Sequence, residues 1–257
     1  MELVDTHTHL YTRQLAPDIE QVVQRAKDAG VQKFYLPNID SSSIEAMLSL
    51  ENTWPDSCFP MMGIHPCSVN ADFEQELAVV KEWIGKRPFA AIGEIGIDLY
   101  WDKTFIEEQK TAFLQQIRWA KDLGLPVVIH CRESMDLVID LVAREADDRL
   151  WGVFHCFTGD AKQAEKIREM GFFLGIGGVL TYKNSGLAET LQQIGLEKVV
   201  LETDSPYLAP VPYRGKRNES AYIRVVAEKA AEVLGVPPEK VAEITTDNAK
   251  TLFNTRE

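Results

Sequence analysis

Short apolar runs rich in Val, Ile and Phe alternate with longer amphipathic segments along the whole chain. The runs Glu2–Thr6, Lys33–Leu36, Phe59–Ile64, Phe89–Ile95, Pro126–Ile129, Gly152–Phe154, Phe172–Ile176 and Val199–Glu202 read as strands. Several lack polar alternation, the pattern of parallel strands covered on both faces. Between them, apolar residues recur at helical spacing. Pro17–Ala29 aligns Ile19, Val22, Val23 and Ala26 and stops at Gly30. Glu107–Leu123 aligns Phe113, Leu114, Ile117 and Ala120 and stops at Gly124, and Ser134–Ala146 opens on a Ser cap. Ala161–Met170, Leu187–Ile194, Tyr222–Leu234 and Glu239–Leu252 complete the predicted helices. Roughly eight strand–helix units in a chain of this length predict an α/β fold, a TIM-type (β/α)8 barrel forming a single domain over residues 1–257. A doubly wound open sheet is the alternative. It would want a Gly-rich turn after the first strand, where this chain has His7-Thr-His9. Gly175-Ile-Gly-Gly178 lacks the spacing of a dinucleotide loop.

Composition narrows the classes. The chain has 257 residues, 45% hydrophobic and 26% charged, which is globular and large enough for a core without staples. Its four cysteines, Cys58, Cys67, Cys131 and Cys156, form no C-x-x-C pair, which argues against a zinc ribbon or a thioredoxin motif. Free thiols and the absence of a signal-peptide pattern point to the cytoplasm. No apolar run approaches the length of a membrane span. The formal charge of −12 argues against broad coating of nucleic acid. It leaves room for a nucleic-acid substrate gripped at bound cations.

The candidate chemistry lies where the apolar runs stop. All five histidines stand there: His7, His9, His65, His130 and His155. Imidazole is the commonest protein ligand of transition metals, so the shared placement predicts one polynuclear metal site. His7 and His9 are two residues apart and face the same side. Asp5 shares their parity, lies deeper and reads as a supporting residue. Glu94, in Ala91-Ile-Gly-Glu-Ile-Gly96, ends a buried run; it is either a metal ligand that bridges two ions or half of a buried salt bridge. Asp204 ends the last apolar run and can bind metal, accept a proton, or simply begin a turn before Ser-Pro. Glu202 shares its parity as a support. Cys131 and Cys156 have the opposite parity to His130 and His155 and are expected to turn away from the metal. Arg132 suits a phosphate or carboxylate, or a surface salt bridge. A nitrogen-rich set with carboxylates and no thiolate favours zinc or manganese, with magnesium a less natural choice.

The chain resembles the TatD-related deoxyribonucleases of the metal-dependent amidohydrolase superfamily. The resemblance rests on the joint order of Asp5-Thr-His-Thr-His-Leu10, Gly63-Ile-His-Pro66, Gly93-Glu-Ile-Gly-Ile-Asp98, Leu125-Pro-Val-Val-Ile-His-Cys-Arg132, His155-Cys-Phe-Thr-Gly159, Gly178-Val-Leu-Thr-Tyr-Lys183, Leu201-Glu-Thr-Asp-Ser-Pro-Tyr-Leu208 and Arg214-Gly-Lys-Arg-Asn-Glu219. It implies a TIM-type barrel with one to three divalent ions. The implied ligands are His7, His9, Glu94, His130, His155 and Asp204, with Glu94 bridging and His65 contacting substrate phosphate or an additional ion. Three positions depart from the family pattern: Cys67 stands where a second histidine is usual, Leu99 where an aromatic is common, and Ser220 where proline is common.

The implied activity is divalent-metal-dependent cleavage of DNA phosphodiester bonds, as a 3′-5′ exonuclease on single-stranded ends. Asp204 and Glu94 are the catalytic candidates. His65, Arg132, Lys183 and Arg214 are the substrate candidates, although Lys183 reads equally as a surface lysine. Lys216 and Arg217 extend the basic patch at Arg214, and Tyr182, Tyr207 and Tyr213 stack bases or merely pack. The chain is expected to act as a monomer. The alternative keeps the metals and changes the bond: an amide or an ester such as mischarged aminoacyl-tRNA. Many enzymes of that kind use a bridging lysine, and no strand-end lysine is evident here. A non-enzymatic metal-binding scaffold is the third reading.

Overall fold

The structure, a computed structural model, describes residues 1–254. Strands and helices alternate as β1 (Leu3–Asp5), α1 (Ile19–Asp28), β2 (Val31–Pro37), α2 (Ile44–Thr53), β3 (Cys58–Met61), α3 (Phe73–Lys86), β4 (Ile92–Asp98), α4 (Ile106–Leu123), β5 (Val127–Arg132), α5 (Met135–Glu145), β6 (Gly152–Phe154), α6 (Ala161–Glu169), β7 (Phe173–Ile176), α7 (Leu187–Ile194), β8 (Val199–Leu201), α8 (Ile223–Leu234) and α9 (Pro238–Leu252). Strands β1 to β3 pair in parallel, as do β4 to β8. Backbone hydrogen bonds link the two groups at both seams. Met62 N–H donates to Ala91 O and Gly93 N–H to Met62 O, each at 3.1 Å. On the other side Thr6 N–H donates to Leu201 O at 3.1 Å. The eight strands thus form the expected TIM-type barrel.

Two apolar layers hold it together. Val4, Tyr35, Met61, Ala91, Val128, Val153, Phe173 and Val200, one from each successive strand or its start, form a buried inner layer. The end of α9 closes this layer through Leu252 and Phe253, whose ring stacks on Tyr35 at 3.6 Å. The residues next in line, such as Ile92, Ile129, Phe154 and Leu201, face the surrounding helices in a second and larger cluster. Burial on both faces explains why the strand segments lack polar positions.

Sequence periodicity did not reveal α2 or α3. Only Ile44 and Met47 are buried in α2, too narrow a stripe to stand out. In α3 the buried Phe73, Leu77 and Val80 do have helical spacing. Strand ends also move: β4 continues to Asp98 and β5 to Arg132, each three residues beyond its apolar run, while β3 stops at Met61, three residues short of Ile64. The polar ends of β4 and β5 carry Asp98, His130 and Arg132.

Candidate metal and active site

The C-terminal ends of the strands surround a cleft of about 650 Å³. At its floor lies Glu94, 1% exposed. All five histidines reach its carboxylate. His7 Nε2 is 3.1 Å and His9 Nε2 3.5 Å from Oε2, while His65 Nε2 at 3.4 Å, His130 Nδ1 at 2.9 Å and His155 Nε2 at 3.3 Å meet Oε1. Asp204 Oδ1 stands 3.5 Å from His9 Nε2 and 3.8 Å from His7 Nε2.

Local backbone irregularity brings these groups together. Val4 lies in the inner layer, so strict alternation would carry Thr6 and Thr8 inward. The chain leaves strand geometry after Asp5, and His7 and His9 reach Glu94 instead. In β4 the register shifts between Ile92 and Ile95, which brings Glu94 to the same interior as Ala91. Gly96 pairs with His130 across the sheet, and a Cβ there would sit 2.1 Å from the His130 carbonyl oxygen. At Gly175 a Cβ would lie 2.2 Å from Glu202 Oε2, so its absence admits the Glu202 carboxylate beneath His155.

Hydrogen bonds set the ring tautomers. Tyr11 donates its hydroxyl hydrogen to Pro37 O and therefore accepts from His9 Nδ1–H at 2.8 Å. Glu202 Oε1 accepts from His155 Nδ1–H at 3.1 Å. Both rings therefore turn Nε2 to the cleft, as a ligand requires. His65 is the reverse. Its Nδ1 accepts the Cys67 backbone N–H at 3.0 Å, so the neutral ring carries its proton on Nε2. Although His65, Glu94 and His130 are close enough to share an ion, this tautomer makes His65 a donor into the cleft. His130 is flanked on both sides, by Glu94 at Nδ1 and by Asp98 Oδ2 at Nε2, 2.9 Å each.

Burial and hydrogen bonding set the charge within the cluster. Burial opposes charge on His9, but hydrogen bonds to Asp204 and Glu94 outweigh it and raise the ring to about 10. Burial likewise opposes charge on His155, and Glu202 and Glu94 overcome it. Burial pushes His7 and His65 down from the ordinary imidazole value, against the pull of Glu94. Glu94 is driven well below the usual carboxylate range: burial resists ionisation, and the surrounding His65, His7 and His155 prevail.

The donor set fits divalent cations. His7, His9 and Glu94 bring ligand atoms within 4.8 Å of one another, as do His7, His155 and Asp204. Both ring nitrogens of His7 and the Oε2 atoms of Glu94 and Glu202 are buried with no hydrogen bond of acceptable geometry. Unsatisfied buried polar atoms cost roughly 1–3 kcal/mol each, so a partner beyond the side chains is called for. Nitrogen and carboxylate donors without thiolate suit zinc or manganese.

Other expected residues fall variously. Arg132 and Cys67 line the cleft, whereas Lys183 and Arg214 do not line it. Lys183 is exposed, and the Arg214 guanidinium lies 4.3 Å over the Tyr182 ring. Cys131 and Cys156 were expected to turn away, yet both border the cleft. Cys156 sits at a left-handed φ of 47°, which breaks the strand alternation on which that expectation relied. Burial pushes the Cys156 thiol up to about 12 and raises Cys131 too, so both remain neutral thiols. Asp5 accepts Thr203 N–H at 2.9 Å and Thr203 O–H at 2.6 Å, bracing the segment that carries Asp204. Asp98 and Tyr11 are site residues that sequence reasoning missed. The only signal for Asp98 was its place at the end of the Gly93–Asp98 motif.

Comparisons with known proteins agree with this fold. The family model described as TatD related DNase matches residues 4–254. A relative from Bacillus subtilis, named an uncharacterized metal-dependent hydrolase YabD, is 38% identical over 98% of both chains. A protein from Erwinia tasmaniensis named 3'-5' ssDNA/RNA exonuclease TatD is 30% identical over 98% of this chain and 100% of its own length. Among solved structures, the TatD homologue YjjV of Escherichia coli superposes with a TM-score of 0.91 at 29% identity, covering 98% of each chain.

Proposed function

Because the chain belongs to the TatD-related DNase family of metal-dependent hydrolases, we propose that it hydrolyses DNA phosphodiester bonds, acting as a 3′-5′ exonuclease on single-stranded ends. One observation carries the reading: five imidazoles converge on one buried glutamate at the floor of an open cleft, with Asp204 beside two of them. We assign His7, His9, Glu94, His130, His155 and Asp204 as the residues that hold one to three divalent ions, with Glu94 shared. When bound, such ions acidify water and offset the anionic charge of a phosphodiester.

The remaining roles follow from the protein's own groups. Asp204 lies at the cleft edge with Oδ1 near His9 and His7, where it can take the proton released by attacking water. His65 turns an Nε2–H inward, a neutral donor for a phosphoryl oxygen. Arg132 lines the cleft and has no carboxylate within ion-pair distance among the described residues, so its charge is available to a phosphate. Lys183 and Arg214 stand outside the cleft lining and serve, if at all, a longer strand. The relatives named TatD exonucleases support the substrate class. Glu94 occupies the central position that a lysine would hold in many amide-cleaving relatives, which favours a phosphodiester over an amide or aminoacyl ester. A cytoplasmic monomer is part of the proposal; the four cysteines are free, and among the described residues no helix is long and apolar enough to cross a membrane.

Incubation with end-labelled single-stranded DNA, with small amides and with aminoacyl-tRNA, each with added zinc, manganese or magnesium, tests the proposal. Stepwise shortening of DNA from the 3′ end is expected. Inert DNA beside a turned-over amide or ester would overturn it.

A further inference from the structure

Seven large apolar side chains stand exposed among the described residues, and five of them, Tyr100, Trp101, Tyr207, Leu208 and Val211, sit on the loops after β4 and β8. Trp101 is 70% exposed and Tyr100 50%. Burying an indole is favourable, so a folded chain that holds one in water at the lip of its cleft has left a binding surface open. Trp101 lines that cleft, with Tyr207 and Leu208 also on its wall.

The exposed pair is fixed in place. Asp98 ends β4, and its Oδ1 accepts the backbone N–H of Tyr100 at 2.9 Å and of Trp101 at 3.1 Å. The other oxygen of the same carboxylate holds His130. The position of the ring pair is therefore tied to the metal cluster through one side chain. The rings meet edge to face, 4.9 Å apart at 85°. The Arg132 guanidinium lies 3.9 Å from the Tyr100 ring centroid and 5.4 Å from that of Trp101. Among the described residues it makes no ion pair that would neutralise it.

We propose that the Tyr100–Trp101 turn is a nucleobase-stacking platform: Trp101 takes the face of an unpaired base, while Arg132 beside it takes a backbone phosphate. This rests on the nucleic-acid reading above and adds the residues that recognise the base. The ligand has to combine a flat apolar face with a single negative charge a few ångströms away, next to a floor built for cations. A single strand offers that combination at each nucleotide, whereas in a duplex the faces are covered by neighbouring bases. The platform reads no base edge, so it selects for the presence of a base and not for its identity.

The test is steady-state kinetics on single-stranded oligonucleotides ending either in normal nucleotides or in abasic residues, with wild-type protein, Trp101→Ala and Trp101→Phe. On normal ends Trp101→Ala is expected to raise KM about tenfold, the loss typical of one stacked base, and Trp101→Phe to recover most of it. On abasic ends the difference between wild type and Trp101→Ala is expected to collapse. The thermal midpoint should stay constant, since the indole is mostly in solvent. A KM unchanged by Trp101→Ala on normal ends, or raised equally on abasic ends, overturns the platform while leaving the nuclease reading in place. A wild-type protein inert on every oligonucleotide overturns both.

Discussion

Glu94 shows how the identity of one residue depends on its neighbours. A buried carboxylate is costly alone, yet here five rings surround it. Asp204 differs in lying partly open to the cleft, which suits a group that exchanges protons with water. Asp204→Asn is therefore expected to lower DNA turnover by at least about 100-fold, the lower end of the range for general acid–base catalysis, with some metal loss and an unchanged circular dichroism spectrum. Unchanged turnover would remove Asp204 from the mechanism. Cys67 makes a different point. Its backbone N–H sets the His65 tautomer, and a backbone group is kept by any residue but proline. Cys67→His should leave hydrolysis the same or raise it; a collapse in rate would show that the thiol itself acts. The histidines, Glu94 and Asp204 were legible because each is a polar residue ending an apolar run. Asp98 and Tyr11 were not, because nothing in their own neighbourhood names their partners. Asp98 meets His130 only through the register that pairs Gly96 with His130.

At the scale of elements, the loop after β8 is tied back to α1. Arg217 donates to Asp18 at 2.6 and 2.8 Å, and Arg25 bridges Asp18 at 3.3 Å and Glu219 at 2.6 Å. The hydrogen bond from Arg217 comes first; with a further one from Arg25 it outweighs the opposing effect of burial and holds the Asp18 carboxyl down at about 2. A depressed carboxyl stabilises the fold above its unfolded value, about 3.9, and loses that contribution as pH falls towards 2. The stability gap between wild type and Asp18→Asn should thus be full above pH 4 and vanish near pH 2 in urea melts. It should also be small and shrink with salt, because the pair is partly exposed. A gap that widens in acid would contradict the clamp. Gly96 is the second test. Its φ of 145° and the 2.1 Å approach to the His130 carbonyl leave no room for Cβ. Gly96→Ala should cost roughly 2–4 kcal/mol by urea midpoint and displace His130. Strands and most helices were legible from apolar periodicity, while α2 was hidden because its buried stripe is only two residues wide.

For the whole molecule, the barrel makes one end of eight strands a meeting place, so side chains far apart in the chain share one cluster. His7 and Asp204 are separated by most of the sequence, yet Asp204 N–H donates to His7 O at 2.9 Å. The eightfold alternation was enough to predict that convergence. It could not predict the orientation of Cys156 or the aromatic lip, which depend on left-handed backbone and on turns. Cation binding should also stabilise the fold. Removing metal with a chelator is expected to abolish hydrolysis and lower the thermal midpoint by about 5–10 °C, the effect of losing a ligand at a hundredfold excess over Kd. Adding the metal back should restore both.

Anomalous diffraction from crystals grown with manganese or zinc tests the central claim most directly. The account predicts peaks against the Glu94 carboxylate, within coordination distance of His7, His9, His130, His155 and Asp204. Ions bound elsewhere, with only solvent beside Glu94, would contradict it.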